Sequence, residues 1–109
     1  MALTVTPGLT AVPGQGSFLG NDSGAADAMV VTPTQTLASY TSIIGNLLVV
    51  KANATNATTT PTINVSGLGT KTIVKRASTA LAAGDIVAGM MCLFVYDGTN
   101  FQLTNPVVN

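Results

Sequence analysis

The clearest pattern of apolar and polar positions lies near the C-terminal end, in Met90-Met91-Cys92-Leu93-Phe94-Val95-Tyr96-Asp97-Gly98-Thr99-Asn100-Phe101-Gln102-Leu103. Two strand-like runs flank Asp97-Gly98, a pair suited to a type I′ turn because both of its central residues need positive φ. A two-residue loop sets Tyr96 opposite Thr99, Phe94 opposite Phe101 and Cys92 opposite Leu103, so one face is apolar on both strands. A four-residue Asp97–Asn100 loop keeps the same faces, whereas a three-residue bulged loop does not. On the other face Met91, Leu93 and Val95 look across at Thr104, Gln102 and Asn100. The first strand is thus apolar on both faces, which a small solvated sheet does not require. It either runs through the centre of a sandwich or lends one face to another chain.

Upstream, the pattern predicts short strands between turn clusters. Ala28 to Thr32 reads as a strand ended by Pro33, and Leu47 to Ala52 as a buried strand with Lys51 carrying its charge outward. Thr62 to Ser66 alternates, with Ile63 and Val65 on one face, and Gly67-Leu68-Gly69 turns it into Thr70 to Lys75 as a second hairpin. Leu37 to Ile44 fits either one helical face or a loop entering a strand. Ala77 to Ala83 has room for one helical turn ended by Gly84. Asn53 to Thr60 is a polar loop without periodicity. Short strands at roughly ten-residue spacing predict an all-β fold, a small antiparallel β-sandwich or barrel-like domain over residues 25–109.

Residues 1–24 form a separate zone. Val5-Thr6-Pro7-Gly8 and Val12-Pro13-Gly14 each suit a type II turn, and Gly14, Gly16 and Gly20 surround Phe18 and Leu19. Nothing here builds its own core. The placement of Leu3, Val5, Leu9, Val12, Phe18 and Leu19 favours an extended N-terminal arm ordered against a neighbouring subunit over a tail, which usually loses such side chains.

Composition sharpens this picture. The chain has 109 residues, one domain's worth, and charged residues are 7% of it with a formal net charge of zero, against roughly 25% in an ordinary soluble domain. There is no Glu, His or Trp. A surface of Thr, Ser, Asn, Gly and Ala gives little colloidal repulsion and suits a subunit packed among copies of itself. So few cations argue against nucleic-acid binding; Lys71, Lys75 and Arg76 read as a solvated strand end. Cys92 is the single cysteine, which excludes a disulfide framework within the chain and a cysteine-based zinc site; in its apolar run it reads as a buried small hydrophobe. No targeting segment or membrane-spanning run is visible, so synthesis in the host cytoplasm and no membrane partner are expected.

Catalysis finds little to work with. Asp22, Asp27, Asp85 and Asp97 all fall at turn-like positions, where Asp serves the backbone. Asn21-Asp22-Ser23-Gly24 lacks the ligand spacing and terminal Glu of a calcium loop. Gly14-Gln15-Gly16-Ser17-Phe18-Leu19-Gly20 has its third glycine one residue late for a dinucleotide loop, and Gly67-Leu68-Gly69-Thr70-Lys71-Thr72 is followed by a strand where a phosphate loop needs a helix. No catalytic residue, cofactor or metal is expected. Tyr40, Tyr96, Phe94 and Phe101 fit core packing better than a sugar-stacking surface.

Three motifs occur in order with natural spacing: Ile63-Asn64-Val65-Ser66-Gly67-Leu68-Gly69-Thr70-Lys71, Thr79-Ala80-Leu81-Ala82-Ala83-Gly84-Asp85-Ile86 with Ala88-Gly89, and Tyr96-Asp97-Gly98-Thr99-Asn100-Phe101-Gln102-Leu103. With them, the segment from about Ala26 to Pro106 resembles a module common in bacteriophage tail-fibre and related virion proteins. The resemblance implies a non-enzymatic β-rich building block, often trimeric, on a phage surface. Its partners are then further copies of itself and other virion proteins. Fibre proteins are usually long, with stems and a receptor tip, whereas this chain is nearly all module plus an arm. That raises the alternative of a capsid decoration (cement) or head-fibre protein. A second alternative is an adhesin module for host surface glycans, using the polar loops at Asn21–Asp27 and Asn53–Pro61. The expected subunit interface comprises Met91, Leu93 and Val95 with Leu3, Val5, Leu9, Val12 and Phe18.

Overall fold

Strand-forming residues separated by turn residues build a sheet of eight short strands in the computed structural model, which describes residues 17–33 and 37–106. The strands are β1 (Ser17–Asn21), β2 (Ala28–Val31), β3 (Leu47–Lys51), β4 (Thr62–Val65), β5 (Thr70–Lys75), β6 (Thr79–Ala80), β7 (Met91–Tyr96) and β8 (Phe101–Leu103). Their order is β1-β3-β7-β8-β5-β4-β2, with β6 paired to β5. The sheet curls until its two edge strands nearly meet, giving a barrel-like all-β domain. Its pairings are mixed rather than uniformly antiparallel: β1 with β3, β2 with β4 and β5 with β8 run parallel. Hairpin signals in a sequence report only local antiparallel pairs, and these parallel contacts join segments distant along the chain.

Both expected hairpins form. In β4–β5, Thr62 faces Thr72 and Asn64 faces Thr70. In β7–β8, Tyr96 faces Phe101 and Phe94 faces Leu103, so the connection is the four-residue Asp97–Asn100 loop rather than a two-residue turn. The Asp97 side chain explains the longer loop. Its Oδ1 accepts the backbone N–H groups of Thr99 and Asn100, both at 2.8 Å, and its Oδ2 accepts the Gln102 amide at 2.8 Å. Gly98 takes the positive φ of 102° within it. The faces expected for the hairpin are unchanged.

Ala77 to Ala83 does not form a helical turn. Thr79 and Ala80 pair instead with Lys75 and Val74, through a turn in which Arg76 and Ala77 adopt φ of 47° and 72°. Leu37 to Ile44 resolves into a short 3-10 helix, Tyr40–Ile43, that buries Tyr40 and Ile43 and leaves Ile44 exposed.

Period-two alternation points one residue in two into the barrel. Leu19, Met29, Val31, Leu48, Val50, Ile63, Val65, Ile73, Cys92, Phe94, Tyr96, Phe101 and Leu103 fill it. Full burial of a Val, Leu, Ile or Phe side chain contributes about 1.5–3 kcal/mol. Phe94 and Tyr40 pack edge-on against Phe101 at 6.1 and 5.5 Å between ring centroids, and Tyr96 lies tilted against the same ring at 5.1 Å. All four aromatic rings are buried. The Tyr40 hydroxyl donates to Gly69 O at 2.7 Å and accepts from Val65 N–H at 2.9 Å, which ties the 3-10 helix to the end of β4 and to the turn that leads into β5. Burial of that hydroxyl raises its pKa.

The inward face of β5 reads Lys71, Ile73, Lys75, and the two lysines are satisfied differently. Lys71 Nζ lies 5.6 Å from the Tyr40 ring centre and 5.9 Å from that of Tyr96, a cation–π arrangement at one end of the barrel. Lys75 is buried and pairs with Asp85 Oδ2 at 2.8 Å toward the other end, where Ala82 N–H also donates to that oxygen. The expected solvated cluster of Lys71, Lys75 and Arg76 therefore does not exist: of the three, only Arg76 is exposed.

Asp22 draws the two edges of the sheet together. Its Oδ1 accepts from Gly24 N–H at 2.7 Å and Val30 N–H at 3.0 Å, and its Oδ2 from Asn53 N–H at 3.1 Å. Ser23 N–H adds a bond to Val30 O at 2.8 Å. Gly24 is required here because a Cβ would lie 2.0 Å from Ala28 O. Of the expected arm 1–24, residues 17–24 are thus an edge strand and its closing turn, with Leu19 in the core. Residues 1–16 lie outside the described residues.

Candidate subunit interface

An apolar strand centred in the sheet must present alternate side chains away from the core, and here those positions are apolar as well. On β7 the inward residues Cys92, Phe94 and Tyr96 are buried, while Met91 is exposed and Leu93 and Val95 are half-buried. Register carries the outward pattern across neighbouring strands. Leu93 faces Val49 of β3, which faces Phe18 of β1, so Phe18, Val49 and Leu93 form one apolar row. Leu47 and Val95 form a second row that continues to Gln102 of β8. Lys51 and Met91 form the third, at the rim. Phe18 is 57% exposed and Met91 46%.

Sequence reasoning missed two members of this face. The run Leu47 to Ala52 reads as a buried strand with Lys51 outward, yet of its apolar residues only Leu48, Val50 and Ala52 are buried; Leu47 and Val49 face outward and are half-buried. The available signal was the same one that β7 gives, an apolar run on both strand faces. Of the expected interface residues, Met91, Leu93, Val95 and Phe18 share this outer face, whereas Leu3, Val5, Leu9 and Val12 lie outside the described residues.

On β7 the backbone beneath the face is engaged on both sides, by β3 and by the chain from β8 onward. Beyond the end of β8, Thr104 N–H donates to Leu93 O at 2.8 Å, and Asn105 takes Leu93 N–H on its Oδ1 at 2.7 Å. The Asn105 amide also donates to Met91 O at 3.0 Å. Along β7, what the face offers a partner is therefore side-chain surface. Covering the parts of these six side chains still open to water is worth on the order of 1 kcal/mol each. Association of two proteins costs at least about 4 kcal/mol in lost freedom. By that comparison the face alone supports weak association.

The polar groups that could carry chemistry serve the fold. Asp27 Oδ1 accepts from Thr58 N–H, Thr58 Oγ1 and Ala57 N–H at 2.9, 3.0 and 3.0 Å, and these bonds, that from Thr58 N–H foremost, hold its carboxyl below the usual range. The Asn100 N–H, with the Gln102 amide and Thr99 N–H, does the same for Asp97. Burial, with the charge of Asp22 nearby, pushes the Cys92 thiol up to about 12, which makes it a poor nucleophile. The buried Asn56 joins two loops: its amide donates to Thr58 O and Ala82 O at 2.8 and 3.0 Å, and its Oδ1 accepts from Ile86 N–H at 2.8 Å. Among the described residues no three His, Cys, Asp or Glu side chains come together as a metal site. A polar hollow of about 260 Å³ lies beside the rim, lined by Asn21, Asp22, Lys51, Ala52 and Asn53.

Neither a protein-family model nor a curated protein matches this chain.

Proposed function

We propose that this chain is a non-enzymatic structural protein of a bacteriophage virion, a trimeric surface module of a tail fibre or spike. The observation that carries the reading is the outer face of β1, β3 and β7: six apolar side chains in register on a chain with so few charges. A contiguous apolar sheet face of this kind marks a surface that another molecule covers. The ordered motifs within Ile63–Lys71, Thr79–Ile86 and Tyr96–Leu103 support the phage assignment, and the module they resemble is often trimeric. In this reading each copy sets its Leu93 face against a neighbour, and the assembly belongs to the particle surface. Immunogold labelling of intact particles tests it. Signal at the tail supports the fibre or spike, signal over the head supports the decoration alternative, and particles without signal overturn the virion assignment.

The hollow at Asn21, Lys51 and Asn53 favours a second reading, host-glycan binding, because amide and ammonium donors suit sugar hydroxyls. Retention of the isolated protein on host surface polysaccharide, lost in Lys51→Ala, supports that reading; no retention of the wild type removes it.

A further inference from the structure

Two parallel strands end side by side at the rim of the outer face. Asn21 closes β1 and pairs with Lys51, which closes β3, and Asp22 N–H donates to Lys51 O at 2.8 Å. Beyond that bond the two chains part, one into the turn at 22–27 and the other into the loop at 53–60. The hollow of about 260 Å³ lies in this fork, lined by Asn21, Asp22, Lys51, Ala52 and Asn53. Two polar stretches distant along the chain thus share one site.

Its polar groups are not all spent on the fold. Asp22 receives three backbone N–H groups, only one of them on Oδ2. A carboxylate has about four acceptor positions, so Oδ2 keeps room for another donor. Asn53 donates its amide to Gly24 O at 2.9 Å, while its Oδ1 bonds to no other described residue. The same holds for the Lys51 ammonium and the Asn21 side chain. The hollow therefore combines donors with acceptors, and one ammonium balances one carboxylate. Sugar hydroxyls donate and accept at once and carry no charge. An anionic ligand would gain Lys51 but would also meet Asp22.

The apolar side of such a ligand has a counterpart as well. The chain has three Phe, two Tyr and no Trp; four of these rings are buried, and Phe18 is the exposed one. Phe18 pairs with Val49, one outward row before Asn21 and Lys51, about 7 Å along the strands. A pyranose presents C–H groups on its faces and hydroxyls around its edge. One sugar ring, or two linked rings, can lie against Phe18 with hydroxyls in the hollow.

We infer that the fork of β1 and β3 binds an uncharged pyranose, with Phe18 stacking on its C–H face and Asn21, Asp22, Lys51 and Asn53 holding its hydroxyls. This inference rests on the glycan-binding reading and narrows it to a class of sugar and a stacking residue.

The test is a nuclear magnetic resonance titration of the full-length chain. Methyl glucoside, methyl galactoside and N-acetylglucosamine serve as uncharged probes, and glucuronate as the acidic one. At least one uncharged probe is expected to shift the Asn21 and Asn53 side-chain amides and the Phe18 ring along one saturation curve. Phe18→Leu keeps the outer face apolar but removes the ring, and Lys51→Met keeps the stem but removes the ammonium. Each is expected to weaken binding about tenfold, the loss of one ring contact or one charge-assisted hydrogen bond, with an unchanged β-rich spectrum. Undiminished binding by Phe18→Leu overturns the stacking role, and binding of glucuronate alone overturns the uncharged class. If no probe shifts these signals up to its solubility limit, the inference falls. Retention on host polysaccharide, abolished by Lys51→Ala, would then still leave the glycan-binding reading standing, whereas absence of both overturns the two together.

Discussion

The β4–β5 and β7–β8 hairpins come from similar sequence signals, yet their outer faces differ. Inside, Ile63, Val65 and Ile73 of one hairpin, flanked by Lys71 and Lys75, and Phe94, Tyr96, Phe101 and Leu103 of the other line the core. Outside, β4 and β5 present Thr62 opposite Thr72 and Asn64 opposite Thr70. β7 presents Met91, Leu93 and Val95, and β3 beside it Leu47 and Val49. In the first hairpin β4 follows the alternation that water on one side dictates, while β5 adds one apolar outer residue, Val74, which is buried. The second hairpin does not follow it, although its inner residues complete the core equally well. The difference shows that the outer apolar residues of β7 are not needed to fill this barrel, and their use has to be sought outside it.

The inner faces set the upper end of the scale. Phe94→Ala is expected to lower unfolding stability by about 3–5 kcal/mol in urea titration, since it empties a fully buried ring site packed against Phe101. Lys75→Met leaves Asp85 charged and buried, and a similar loss of about 3–5 kcal/mol is expected. A stable Lys75→Met protein would mean that the pair is open to water. Asp22→Ala strips the acceptor from three backbone N–H groups. It is expected to cost about 3 kcal/mol and to speed hydrogen exchange at Val30 and Asn53 first, where the sheet closes.

The outer faces lie at the lower end for folding but diverge for association. Thr72→Asp, on the polar hairpin, is expected to change stability by about 0.5 kcal/mol or less and association not at all. Leu93→Asp is expected to cost the isolated subunit about 1 kcal/mol, because its side chain is only half-buried, while removing association. If Leu93→Asp lowers stability as far as Phe94→Ala does, the two faces of β7 are both core and the contrast between the hairpins disappears.

The remaining effects are those of pH, which leave every contact in place. The carboxyls of Asp27 and Asp97 sit below their ordinary value of 3.8 in the folded chain. Their contribution is therefore complete above about pH 4, where unfolded carboxylates are ionised, and is lost as pH falls through the folded values. Burial acts oppositely on Cys92, raised from 9.0 to about 12, and on Tyr40, raised above 10.0. Both hold their protons more tightly when folded, so stability is steady up to about pH 9 and declines as pH rises toward 12. Thermal melts from pH 2 to 12 are expected to show a plateau bounded on both sides. Continued gain of stability above pH 10 would contradict the burial of Cys92 and Tyr40.

Much of the fold is legible in the chain where the contacts are local. Asp97-Gly98 and Gly67-Leu68-Gly69 mark both hairpins, and the alternation of Ile63 and Val65 marks an inner face. The loop length at Asp97 is not legible from the turn pair alone, because it depends on the Asp97 carboxylate and on Gln102 across the hairpin. Contacts distant in sequence are hidden for a similar reason. Asp22 looks like a turn residue, but its partners include Asn53. Asn56 sits in an unpatterned polar run, yet it binds Ala82 and Ile86. Lys75 looks like a strand-end charge until Asp85 is brought against it. For the candidate site, the surplus on β7 was visible in Met91, Leu93 and Val95. Its extension through Leu47, Val49 and Phe18 required the parallel pairing of β1 with β3, which no local signal encodes.

The central claim, that the outer face of β7 serves association while its inner face serves folding, is tested most directly by light scattering on three proteins with circular dichroism alongside. The wild type and Thr72→Asp are expected to run as the same oligomer, and Leu93→Asp as a folded monomer with an unchanged β spectrum. A monomeric wild type, an intact Leu93→Asp oligomer or an unfolded Leu93→Asp chain would each contradict it.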